Sequence, residues 1–171
     1  MTQKPGDQPV RAAEEEIVPA AETVLDGSTE DSSTPGVLFV CVRNGGKSQM
    51  AAGLMRRELA EAGAEGSILV SSAGTEPGSR INALSADVLH DLGADITGET
   101  PTPVTPEAMR EAGLVVVIGA EAQVDPPEGV TVERWETDEP SDRGIEGRER
   151  MELVRDDIHT HVRELKNRLL S

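Results

Sequence analysis

The chain has 171 residues, enough for one domain with a tail and for a sizeable buried core. Its 16 Lys and Arg stand against 32 Asp and Glu, a formal net charge of −16 that repels phosphodiester backbones and anionic lipid, so neither nucleic acid nor a membrane surface is expected as a partner. With no Tyr, one Phe, one Trp and one Cys, the composition argues against a ligand held by aromatic stacking, and it excludes an intrachain disulfide and a four-cysteine metal site. No run approaches the roughly 18 apolar residues of a membrane span, and the N-terminus lacks the basic-then-apolar pattern of a secretory signal. A cytoplasmic protein is expected.

Residues 1–36 hold eight acids and two bases, few bulky apolar side chains, and a closing Gly, Ser, Thr and Pro stretch over 27–36. This is the composition of a flexible acidic extension; a short amphipathic helix over 12–25 is the alternative. The domain proper is expected over 37–171. Val37–Val40 is a continuous apolar run, the mark of a strand covered on both faces. Beyond the loop 42–47, Ala51, Leu54, Met55, Leu59 and Ala62 recur at helical steps, and Gly63 ends the series. Ile68–Val70 predicts a second strand, and Leu84, Val88 and Leu92 a second helix closed by Gly93. Thr105 caps a short helix with Pro106 at its first position. Leu114–Ile118 is the strongest strand and Val130–Val132 a shorter fourth. Met151, Val154, Ile158, Val162, Leu165 and Leu169 form one stripe of a long last helix. Apolar strands alternating with amphipathic helices give right-handed crossovers and a parallel sheet clothed on both faces, an α/β fold.

In such sheets the ligand site lies beyond the carboxyl ends of the strands. There the first strand runs into Cys41-Val42-Arg43-Asn44-Gly45-Gly46-Lys47-Ser48 and a helix follows at once. Asn44, Gly45 and Gly46 allow a tight curl. A curled loop entering a helix turns several N–H groups toward one point, where the helix dipole adds positive potential. The result is a cradle for a tetrahedral oxyanion, and the same field favours the thiolate form of Cys41. Nucleophile and anion pocket would share one loop. The bland alternative is a core cysteine. A nucleotide-binding loop fits poorly, because that motif requires Gly where Cys41 stands, and the strand 114–118 runs into Gly119-Ala120 rather than an Asp for magnesium. His159 and His161, two apart on the last helix, point to different faces, and no metal site is expected.

Cys41 through Ser48 and the helix start Gln49–Ala52 resemble the low-molecular-weight protein tyrosine phosphatase family and its arsenate reductase branch. Ser71–Thr75 is similar to that family's segment after the second strand, and Trp135–Pro140 to the loop carrying its acidic residue next to proline. The resemblance spans about residues 37–171. It implies a three-layer domain with a four-stranded parallel sheet in the order 2-1-3-4. It also implies Cys41 as nucleophile, Asn44 as the loop-shaping residue and Ser48 as the hydroxyl bonded to the thiolate. Val42 through Ser48 would hold the oxyanion. Lys47 stands where the family usually has arginine, which keeps the charge but loses the two-oxygen fork. For the acid, Glu139 fits by its adjacency to Pro140 and Asp138 by residue type, and either would protonate the leaving oxygen.

Family members that draw electrons from thioredoxin relay oxidation through further cysteines of the same chain. With Cys41 alone, a resolving thiol must come from another molecule. The loop and the Asp138–Ser141 segment resemble the single-cysteine branch that joins arsenate to mycothiol, with a mycoredoxin-like protein releasing arsenite. That resemblance implies no bound cofactor, mycothiol as thiol co-substrate, and arsenic detoxification. The absence of tyrosine points the same way, because a phosphotyrosine site requires aromatic walls. A phosphatase acting through a cysteinyl-phosphate and a non-catalytic oxyanion-binding relative are the alternatives.

Overall fold

The computed structural model describes residues 34–171, so the extension expected over 1–36 falls almost wholly outside the described residues. Four strands, β1 (Gly36–Cys41), β2 (Leu69–Gly74), β3 (Leu114–Ile118) and β4 (Thr131–Trp135), form one sheet in the order β2-β1-β3-β4, and every pairing is parallel. Helices α1 (Lys47–Glu61), α2 (Ala83–His90), α3 (Pro106–Ala112) and α4 (Gly147–Leu170) cover the two faces. The expected fold class and strand order are both found.

Because strand side chains alternate, β1 and β3 feed two cores. Val37, Phe39, Val116 and Ile118 join Trp135 and the apolar faces of α1, α2 and α4. Leu38, Val40, Val115 and Val117 join Ala73, Met109 and Ala112 on the α3 side. The α4 stripe Val154, Ile158, Val162 and Leu165 is fully buried. At about 1.5–3 kcal/mol for each large side chain, this burial and not helix propensity docks α4. Thr105 caps α3 as expected, its Oγ1 accepting from the Ala108 N–H at 3.0 Å. Among the described residues no helix is long and apolar enough to cross a membrane.

Three boundaries depart from the sequence reading. Strand β2 runs Leu69–Gly74, so Ser71–Gly74 form the strand itself and do not follow it. As an edge strand with polar Ser71 and Ser72, it lacks an apolar signature. Helix α2 ends at His90, and Leu92 and Gly93 lie in a turn with Gly93 at φ 80°. Strand β4 reaches Trp135 through Glu133 and Arg134, whose alternation with Val132 suits an edge position.

The two C-terminal histidines separate as their spacing requires. His161 stacks on Trp135 with ring centroids 5.0 Å apart, while His159 bonds Glu58 of α1 at 2.7 Å. Lys166 Nζ donates to the other Glu58 oxygen at 3.1 Å, so an acid almost buried between α1 and α4 is held from both sides. Burial pushes the Glu58 carboxyl up, but the hydrogen bonds from His159 and Lys166 outweigh it and leave it below the usual carboxylate value. A carboxyl lowered on folding contributes stability above its unfolded value and loses it as pH falls through the folded one. Glu58→Ala is therefore expected to lower unfolding free energy by about 1–3 kcal/mol at pH 7. The penalty should shrink steadily below about pH 4, as read from urea denaturation midpoints at a series of pH values.

Candidate active site

β1 ends at Cys41, and the chain curls through Val42–Gly46 before α1 begins at Lys47. What shapes the curl is a strap formed by the end of β2 and the residues after it. Thr75, Glu76, Gly78 and Asn82 donate their N–H groups to the carbonyls of Cys41, Val42, Arg43 and Gly45 at 2.7–3.0 Å. In a planar trans peptide the C=O and the following N–H point in opposite directions. Four carbonyls turned out to the strap therefore turn the N–H groups of Val42, Arg43, Asn44 and Gly46 inward. The first N–H groups of α1 follow, and no side chain caps them. Converging amides at a helix N-terminus hold an oxyanion. The strap must come close: a Cβ on Gly74 would lie 2.6 Å from the Val42 oxygen and 2.9 Å from the Asn44 Cβ, so only glycine fits there.

Asn44 fixes the inside of the curl. It is fully buried and the one described non-glycine residue with positive φ, at 56°, a conformation asparagine tolerates better than most residues. Its Oδ1 accepts from the Thr102 N–H at 2.8 Å and from Gln49 Nε2 at 3.2 Å, while its Nδ2 donates to Ser48 Oγ at 2.7 Å. Ser48 Oγ thus accepts from Asn44 and is itself hydrogen-bonded to Cys41 Sγ, 2.9 Å away. The Asn44 N–H donates to the sulfur at 3.3 Å. Cys41 is 8% exposed, yet it lines a cleft of about 810 Å³ together with Val42, Arg43, Gly45, Gly46 and Lys47.

Lys47 projects from the start of α1 and forms an ion pair with Glu139 across 92 residues of sequence. Asp138 goes elsewhere. Its carboxylate takes the Arg143 guanidinium in a fork at 2.7 and 3.1 Å, and its N–H donates to Asp157 of α4 at 2.8 Å. The Arg143 hydrogen bonds hold the Asp138 carboxyl below the usual carboxylate range, which makes it a poor proton donor in this arrangement. Of the two candidates, Glu139 is the one the fold brings to the loop. Arg43 is exposed on the cleft wall, with its carbonyl held by Gly78.

Sequence reasoning missed the far wall of the cleft, made of Gly78–Ala83 and, from α4, Arg150, Met151 and Val154. Arg150 Nη2 lies 3.9 Å from Glu139 Oε1. Met151 and Val154 appeared in the sequence only as part of the α4 core stripe, and nothing local marks Arg150.

A cysteine beside a curl of backbone amides at a helix start, with the Lys47–Glu139 ion pair next to it, is the arrangement of a candidate oxyanion site. The chain belongs to the low molecular weight phosphotyrosine protein phosphatase family, whose model matches residues 36–171. It is 29% identical over 135 residues to an arsenate reductase of Staphylococcus aureus, covering 77% of this chain and 96% of that protein. Among solved structures it is similar to the thioredoxin-dependent arsenate reductase of Corynebacterium glutamicum, with a TM-score of 0.64 and 27% identity over 80% of this chain and 62% of that one. A structure described as an arsenate reductase in the phosphate binding state aligns with a TM-score of 0.63 and 25% identity, covering 80% of this chain and 99% of that chain.

Proposed function

We propose that this protein is an arsenate reductase of the transferase type, joining arsenate to mycothiol for later reduction by a mycoredoxin-like partner in the cytosol. The observation that supports the reading is a single cysteine, on the cleft that the loop 42–47 lines, in a chain with no second thiol. The similarity to arsenate reductases supports the oxyanion, and the cysteine count supports an external thiol. None of the described residues lining the cleft is aromatic, which suits a small inorganic substrate better than an aryl phosphate.

In this reading arsenate sits on the inward N–H groups of Val42, Arg43, Asn44 and Gly46 and the first amides of α1, with Lys47 as counter-charge. The Cys41 thiolate attacks arsenic, an As–S bond forms, an As–O bond breaks, and the departing oxygen leaves as water with a solvent proton passed on by the Glu139 carboxylate. The mycothiol sulfur then displaces Cys41 from arsenic and its proton passes to the cysteine sulfur. Arsenic stays pentavalent through both steps. The two electrons come later, when a mycoredoxin thiol attacks the mycothiol sulfur, forming a mixed disulfide and releasing arsenite.

Purified protein with arsenate, mycothiol and mycoredoxin is expected to turn over, and omission of mycothiol is expected to stop it. Turnover with thioredoxin alone would overturn the transferase assignment. Lys47→Arg restores the family's fork, so hydrolysis of p-nitrophenyl phosphate without added thiol is expected to rise about tenfold. Efficient thiol-independent hydrolysis by the unmodified protein would favour a phosphatase acting through cysteinyl-phosphate.

A further inference from the structure

The loop cation is not free to meet an anion. Lys47 Nζ is engaged by Glu139 Oε2, so an oxyanion entering the cradle encounters a carboxylate on the one ammonium that the loop offers. Like charges a few ångströms apart repel, and the carboxylate must be held elsewhere for the anion to stay. Glu139 has a second oxygen, Oε1, and it faces Arg150 Nη2 at 3.9 Å. That separation is an ion pair but longer than a hydrogen bond, so a shift of about one ångström would close it. Arg150 stands in the first turn of α4, 29% exposed, on the wall of the cleft that Cys41 and Lys47 line. Its planar fork matches a carboxylate better than any ammonium does. The other charged groups of the cleft are Arg43, Arg80 and Glu121, and neither arginine contacts Glu139.

We propose that Arg150 is a positioning residue for the oxyanion reaction: it takes the Glu139 carboxylate as the incoming anion takes Lys47. The handover rests on the oxyanion site described above and not on which thiol serves as co-substrate. Glu139 is kept at the mouth of the cradle, beside the leaving oxygen, without competing for the loop cation. Without Arg150 the carboxylate falls back on Lys47 and the anion is resisted.

The test is binding of arsenate and of inorganic phosphate by titration calorimetry, with no thiol present. Arg150→Met is expected to weaken both about tenfold, and in a Glu139→Gln background the same change is expected to alter affinity less than about twofold. Arg150→Lys should recover part of the loss. Arg150→Gln gives the same reading should the methionine variant prove unstable. Arg80→Gln is the control for simple loss of positive charge, and its effect is expected to be equal in both Glu139 backgrounds. In turnover the Arg150 change should raise KM for arsenate and leave kcat within about threefold. Unaltered affinity in Arg150→Met, or an equal loss in both backgrounds, overturns the handover. Oxyanion binding that behaves as expected, in a protein that does not turn over with mycothiol, would remove the co-substrate assignment and leave Arg150 in place.

Discussion

Replacing Cys41 with serine is expected to reduce arsenate turnover by about a thousandfold or more while leaving phosphate affinity within a few-fold. The two effects divide because the sulfur and the cradle are built from different atoms. In the proposed site the anion sits on the N–H groups of Val42, Arg43, Asn44 and Gly46, which are aimed by carbonyl bonds to the strap at 75–82, and of these only the Asn44 N–H also reaches the Cys41 side chain. The proposed reaction needs the sulfur itself, because a serine hydroxyl in the same place stays protonated and is a weak nucleophile at neutral pH. The oxygen could still hydrogen-bond Ser48 and accept from the Asn44 N–H, so the loop has no reason to open. Steady-state assays with mycothiol, paired with calorimetry, give the two readings. Mass spectrometry after iodoacetamide adds a third, since the wild-type chain has one thiol to alkylate and the variant none. Turnover that survives the substitution unchanged would remove Cys41 from the chemistry.

The architecture was legible because its central strands carry unbroken apolar runs. Val37–Val40 and Leu114–Ile118 are buried on both faces and can be little else. The edge strands were harder: β2 contains Ser71 and Ser72 and β4 contains Glu133 and Arg134, polar residues that an edge accepts and a pattern reader discounts. In the site, the curl from Cys41 to Ser48 was legible because its parts are contiguous. Its shaping was not, since the strap at 74–82 is remote in sequence and acts through backbone donors that no side chain announces. The choice between Asp138 and Glu139 was likewise beyond the sequence. It turns on Arg143, five residues after Asp138, folding back to occupy that carboxylate, and on Lys47 reaching Glu139. Arg150 was hidden because a lone arginine near a helix start is indistinguishable from a solvated one.

Asn44→Ala is expected to cost about 2–4 kcal/mol of stability and about a hundredfold or more in kcat. Three groups lose their partner at once: the partly buried Thr102 N–H and the buried Gln49 Nε2 and Ser48 Oγ. Alanine also meets the positive φ less readily than asparagine. Asn44→Gly separates these terms. Glycine takes the conformation without strain but restores none of the hydrogen bonds, so it should recover part of the stability and little of the rate. Asn44→Asp separates them differently, since one carboxylate oxygen can still accept from Thr102 and Gln49. The other can no longer donate to Ser48, and as an acceptor it draws the Ser48 hydroxyl proton to itself and away from Cys41. Its negative charge beside the loop also opposes the approach of an arsenate anion. Aspartate is thus expected to be the most stable of the three variants and among the least active, with urea midpoints and single-turnover rates moving in opposite directions. Parallel losses of stability and rate across alanine, glycine and aspartate would mean that Asn44 only holds the loop together and does not tune the nucleophile.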